Sequence, residues 1–168
     1  MYEVIYFSRG GNTSKLATAI ADELGTRARH VKSVKSMPEE PDIFLGSGLY
    51  LLRPSKMVRK FIKNNDFRGK RVAIFGTSTT GFGIENIGME WLLKRKGADI
   101  VGKYHCAGKF RIRIAGKFFS IRGSRPSEKD LIMAREFARS VANECPTLQA
   151  TEAKSVAPAT PQPDASIA

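Results

Sequence analysis

Three apolar runs in the chain end in the same way. Glu3 to Phe7 reads "EVIYF" and meets "SRGGNTS"; Asp42 to Leu45 reads "DIFL" and meets "GSGLY"; Arg71 to Phe75 reads "RVAIF" and meets "GTSTTGFG". Unbroken apolar runs of this length are the pattern of strands buried on both faces by crossover helices. The glycines and small hydroxyl residues behind each run therefore stand at the ends of buried strands.

Helical periods fill the intervals. Leu16, Ile20 and Leu24 share one face of a helix that Gly25 stops. Ser55 caps a predicted helix through about Asn64, with Met57, Val58, Phe61 and Ile62 facing inward. A helix from about Glu85 to Lys96 carries Ile87, Met89, Trp91 and Leu92, and Trp91 among these neighbours is expected in the core. "RHVKSV" (29–34) alternates as a weaker strand, and "DIVGKYHC" supplies a fifth. A long basic loop follows it. Ser127, with Asp130 three residues later, opens a last helix through Val141 in a capping-box-like pattern. Strand and helix alternate throughout, which predicts a doubly wound α/β domain with a five-stranded parallel sheet and helices on both faces.

Ligands of such sheets sit beyond the carboxyl ends of the strands, where the winding reverses. In the first turn Gly10 and Gly11 permit close backbone approach, and Ser8, Thr13 and Ser14 bring hydroxyls. Asn12 can bond ligand or backbone, and the helix start presents N–H groups with a partial positive charge. That combination suits a phosphate. It equally describes a tight strand-to-helix turn whose hydroxyls cap the helix. The spacing is neither that of a Walker loop nor GxGxxG.

"SRGGNTS", "KLATAIADEL", "DIFLGSG", "VAIFGTSTTGFG" and "GSRPSEKDLIMAREFA" together resemble, in order and spacing, the flavodoxins and flavodoxin-like FMN proteins. The resemblance spans Met1 to Val141 and implies strand order 2-1-3-4-5. In that family the phosphate loop usually reads Ser/Thr, any residue, Thr, Gly, Asn, Thr. Ser8, Gly11, Asn12 and Thr13 match it; Gly10 replaces the expected threonine, and Arg9 brings a charge at the variable position. The resemblance also implies that Gly46, Ser47, Gly48, Leu49 and Tyr50 lie on one side of a flavin ring. Ser78, Thr79, Thr80, Gly81, Phe82 and Gly83 would lie on the other, with Tyr50 and Phe82 as the candidate stacking aromatics. Gly46 and Gly48 are candidates for a peptide that turns its carbonyl toward the flavin N5.

The implied function is electron transfer on a non-covalent FMN, with no catalytic side chain and no metal. Flavodoxins are commonly acidic, whereas this chain of 168 residues carries a net charge of +12. Eight basic residues and one acid lie between Arg53 and Arg71, and ten basic residues and one acid between Lys94 and Arg125. Such an excess draws anions, so the expected partner is an acidic redox protein or an anionic small-molecule substrate. One alternative is an FMN-dependent oxidoreductase acting on a quinone, a porphyrinogen or another small anionic substrate, with Ala107 to Arg125 forming part of its pocket. Another is a nucleic-acid-binding module, since Lys109, Arg111 and Arg113 alternate with Phe110, Ile112 and Ile114. It is the less favoured reading, because a nucleic-acid binder has no reason to converge three small polar turns on one pocket.

The domain is expected to span residues 1–145. From Pro146 the chain is rich in alanine and proline without an aromatic residue, the composition of a disordered tail over 146–168. Cys106 and Cys145 are too few for a disulfide framework and fit free thiols in a reducing compartment. No apolar stretch approaches the roughly 20 residues of a membrane helix. A cytoplasmic location is the expectation.

Overall fold

Alternation within the apolar runs resolves them into two faces. In the computed structural model Ile5, Ile43, Leu45, Val72 and Ile74 pack to one side of a sheet, and Val4, Phe44, Ala73 and Phe75 to the other. The structure describes residues 1–50, 53–78, 84–108, 110–114, 117–121 and 125–144.

The strands of the main sheet are β1 (Tyr2–Phe7), β2 (Ala28–His30), β3 (Asp42–Tyr50), β4 (Arg53–Pro54), β5 (Arg71–Ser78) and β6 (Asp99–Ala107). Five of them run parallel in the order β2-β1-β3-β5-β6, and β4 turns back antiparallel on the end of β3. This is the doubly wound order that the resemblance implies. Helices α1 (Asn12–Glu23) and α4 (Glu128–Asn143) cover one face; α2 (Lys56–Asn64) and α3 (Ile84–Lys94) cover the other. A separate antiparallel hairpin, β7 (Phe110–Ile114) and β8 (Lys117–Ile121), occupies much of the expected basic loop.

Local chemistry sets the helix ends. Gly25 and Gly97 both adopt positive φ. Behind α1, Thr26 N–H donates to the Ala21 carbonyl and Gly25 N–H to that of Asp22; behind α3, Ala98 and Gly97 repeat the pattern on Leu93 and Lys94. Both are Schellman stops, which a side chain at the glycine would strain. Ser55 caps α2 by accepting from Val58 N–H at 3.1 Å. Ser127 and Asp130 form a complete capping box at α4, and Arg125 pairs with Asp130 at 3.0 Å.

Three expectations are corrected. "RHVKSV" is a strand only to His30, because the His30 ring accepts from Lys32 N–H and turns Val31–Ser33 into a 3-10 turn. Met57 is 38% exposed; α2 buries Val58, Phe61 and Ile62 instead. Trp91 and Ile87 are 58% and 65% exposed, because α3 turns Met89 and Leu93, four apart, onto the sheet and leaves Trp91 on the outward side. Arg95 sits over the Trp91 ring, 4.7 Å from its centre. Cys106 is a buried cysteine that forms no disulfide, while Cys145 and residues 146–168 lie outside the described residues. Among the described residues no helix is long and apolar enough to cross a membrane.

Desolvation pushes the Asp130 carboxyl up, but hydrogen bonds from the Ser127 hydroxyl and backbone and from Arg125 outweigh it, leaving the group below the usual carboxylate range. A carboxylate lowered by folding stabilises the fold above its unfolded pKa and loses that contribution as pH falls through the folded value. Ser127→Ala should therefore lower unfolding free energy by about 1 kcal/mol at neutral pH. Asp130→Asn should also be destabilised there and converge on the parent in acid, as read by denaturant melts at both pH values.

Candidate functional site

Parallel pairing brings the strand ends to one edge. Phe7 is level with Ser47, Gly48 with Thr77, and Ser78 with Ala107. The residues that follow β1, β3, β5 and β6 consequently start from neighbouring points on the sheet.

The first turn is built on Gly11, whose φ of 84° lets the chain leave β1 and enter α1 at Asn12. A glycine at the cap offers no side chain to the first amides of α1, an arrangement that suits an anion at this helix start. A Cβ built on Gly10 or Gly11 meets nothing within 4 Å, so open space lies beside this loop. Ser8 is half-buried and Arg9 exposed. The other two hydroxyls have partners inside the protein. Thr13 is buried and bonds Thr77 through their hydroxyls at 2.9 Å; Ser14 donates to the Gly11 carbonyl at 2.9 Å. The first of these ties the turn behind β1 to the end of β5. The second holds Gly11 in place.

The end of β6 closes on the same turn. Gly108 N–H donates to the Ser78 carbonyl at 2.8 Å, and a Cβ at Gly108 would come within 2.8 Å of the Asn12 side-chain nitrogen and 3.4 Å of the Thr77 Cβ. Neither Thr77 nor Gly108 stands out in the sequence as a site residue. A signal was present, since β6 also runs into a small pair, Ala107 and Gly108.

The β3 end is braced rather than open. Ser47 is fully buried, donates to the Gly48 carbonyl and accepts from Ser55 N–H, each at 2.9 Å. Ser55 is itself the α2 cap, so one chain of bonds runs from the β3 end into that helix. Gly46 lacks a side chain for a packing reason: a Cβ there would lie 2.2 Å from the Phe75 ring. Leu49 and Tyr50 complete β3. The side chains of Leu49 and Tyr50, and the segment Thr79, Thr80, Gly81, Phe82 and Gly83, lie outside the described residues. Just beyond that segment, Asn86 donates to the Tyr104 carbonyl at 3.0 Å, while its buried Oδ1 has no donor among the described residues. Tyr104, on β6, gives its hydroxyl hydrogen to the Asp130 carbonyl at 2.7 Å, and burial pushes its pKa up.

Residues 3–152 match the family model of the flavodoxin domain. The chain belongs to the flavodoxin family. An uncharacterized protein of Methanocaldococcus jannaschii is 32% identical to it over 135 residues, covering 77% of this chain and 89% of that one. A flavodoxin from the domain Archaea superposes with a TM-score of 0.60 at 19% identity, covering 85% of this chain and 96% of that one. A Fusobacterium nucleatum flavodoxin bound to flavin mononucleotide gives 0.64 at 18% identity, with 85% and 97% covered. The rubredoxin oxygen:oxidoreductase of Desulfovibrio gigas gives 0.65 at 16% identity; it takes in 93% of this chain, which spans only 37% of that larger protein. Identities this low speak for the shared fold.

A flavodoxin domain implies a flavin, and the first turn fits the phosphate of one: open space beside Gly10 and Gly11 and a helix start on glycine. Among the described residues no group of three or more His, Cys, Asp or Glu could hold a metal. The Gly46 contact gives a direct check on the strand ends. Gly46→Ala must displace the Phe75 ring, and a loss of about 1–3 kcal/mol is expected in urea unfolding.

Proposed function

We propose that the chain binds one FMN non-covalently and transfers electrons through it, with an acidic redox protein as partner. The observation that carries this reading is the bond between Thr13 and Thr77, which fixes a phosphate-type turn behind β1 against the end of β5, the parallel strand on the far side of β3, in a flavodoxin domain. FMN, when bound, supplies reversible uptake and release of electrons at its ring. The chain's share is to hold and orient it. Backbone N–H groups from Ser8 to Ser14 and the α1 helix start receive the phosphate, and the segments Gly46 to Tyr50 and Ser78 to Gly83 flank the ring. Gly108, pressed on Asn12, closes the side nearest β6.

The net charge of +12 supports an acidic partner, because opposite charge speeds encounter and orients docking. A cytoplasmic setting accords with a chain of two cysteines, too few for a disulfide framework. A second reading, an FMN oxidoreductase acting on a small anionic substrate, is favoured by one observation. The β7–β8 hairpin begins at Phe110, two residues beyond Gly108, at the same edge as the turns, where a lid over a substrate would stand.

The test is the visible absorption spectrum of the purified chain after incubation with FMN and removal of unbound cofactor. Retained flavin bands are expected; a colourless protein would contradict the reading. Two variants probe the turn. Gly10→Thr restores the family's hydroxyl into open space and should tighten FMN binding about fivefold, the worth of one hydrogen bond of about 1 kcal/mol. Gly11→Ala places a side chain at φ 84° and should weaken binding while costing about 1 kcal/mol of stability. Unchanged FMN affinity in both would remove the phosphate from this turn.

A further inference from the structure

A second concavity lies on the flank of the domain, between α2 and α3. Its volume is about 650 Å³, within the roughly 300–1,000 Å³ range of small-molecule sites. None of the residues from Ser8 to Ser14, or Ser78, lines it. Five cations do: Arg53 at β4, Arg59 and Lys63 on α2, and Arg95 and Lys96 at the end of α3. Among the described residues no carboxylate joins them in the lining.

Like charges gathered in a concavity repel one another, and proteins ordinarily disperse or pair them. Several cations elsewhere on this chain are paired: Arg29 with Glu3, Arg71 with Asp42, Lys94 and Lys103 with Glu90, Arg139 with Glu23. Among the described residues none of the five lining cations forms such an ion pair, although Lys96 acts at a distance on Asp66. The Arg59 Nε is buried without an acceptor among the described residues, a state that costs free energy until one arrives. Apolar surface accompanies the charge. Ile62 and Leu92 form part of the wall, and Gly88 lets α3 approach within 3.0 Å of the Pro54 ring, as measured from a Cβ built there. Trp91 is the chain's single tryptophan, exposed at the cavity with the Arg95 guanidinium over it. Stacked ring and guanidinium offer flat surface beside fixed positive charge.

We infer that the groove between α2 and α3 is a binding site for a nucleotide-sized organic polyanion, one with a flat apolar body and two or more phosphate groups. The guanidinium and ammonium groups take the phosphates, Arg through paired N–H donors, and the Trp91 side takes the flat body. A concave, nucleotide-sized volume favours a small ligand over a protein or nucleic-acid chain, which would be met by a broader and flatter surface. The inference goes beyond the flavin reading and does not rest on it.

The experiment is calorimetric titration of the full-length chain with ATP, inorganic pyrophosphate and adenosine at physiological ionic strength, with and without saturating FMN. Trp91 fluorescence is followed in the FMN-free arm. The expected result is saturable binding of ATP, weaker binding of pyrophosphate, none of adenosine, and a change in Trp91 emission on ATP addition. ATP affinity should survive saturating FMN, and should also hold in a chain that binds no FMN at all, so the two sites fail separately. Arg59→Gln and Lys63→Gln should each weaken ATP about tenfold, as loss of a charge-assisted hydrogen bond requires. Lys129→Gln, on α4, removes an equal charge far along the chain and should change affinity less than about twofold, the small share of a screened distant charge. Binding equal in all three variants would reduce the site to general charge and overturn the inference. So would pyrophosphate as tight as ATP, displacement of ATP by FMN, or no saturable binding of either anion. Tighter binding of an oligoglutamate or a single-stranded oligonucleotide than of ATP would overturn it in favour of a macromolecular docking face.

Discussion

Parallel pairing of β1, β3, β5 and β6 is the constraint from which the rest of the structure follows. Parallel strands need crossovers, and the crossovers here are the helices that bury Val4, Phe44 and Phe75 on one face and Ile5, Leu45 and Ile74 on the other. The same geometry sends every strand's carboxyl end to one edge. The turns behind those ends differ in sequence yet meet in space, and the Thr13 to Thr77 bond and the Gly108 contact with Asn12 are where they join. The meeting of these turns at one edge is thus a consequence of topology. The loops only decide what that edge holds.

Most of the side-chain charge lies outside the first turn. That turn is built of glycine, hydroxyl and amide groups with one cation, Arg9. The basic residues gather on α2, on the end of α3 and on the segment beyond β6. This separation suits a protein whose ligand is held by oriented dipoles, leaving side-chain charge for longer-range recognition. The exposed Trp91 belongs to that outer layer: a large aromatic side chain on the solvent side of a helix contributes little to the core beneath it.

Much of this was readable from the residues because burial on two faces writes itself as continuous apolar runs, and capping writes itself as spacing. The α2 start at Ser55 and the Ser127 and Asp130 box are read correctly for the second reason. Trp91 was misread because hydrophobicity without phase cannot distinguish the two sides of a helix; the four-residue spacing of Met89 and Leu93 carried the phase. The His30 turn escaped notice because a side chain accepting from the backbone two residues on has no periodic signature. Thr77 and Gly108 were missed as site residues for another reason. Their importance lies in contacts across strands far apart in sequence, and only the register supplies those.

In the proposed function, separate strand ends act as one FMN site. The most direct measurement is an amide chemical-shift map of the isotopically labelled chain titrated with FMN. The account predicts that amides of Ser8 to Ser14, Gly46 to Tyr50, Ser78 to Gly83 and Gly108 shift together along one saturation curve. Shifts confined to α2 and α3, or a turn behind β1 that stays unchanged while FMN binds elsewhere, would contradict it.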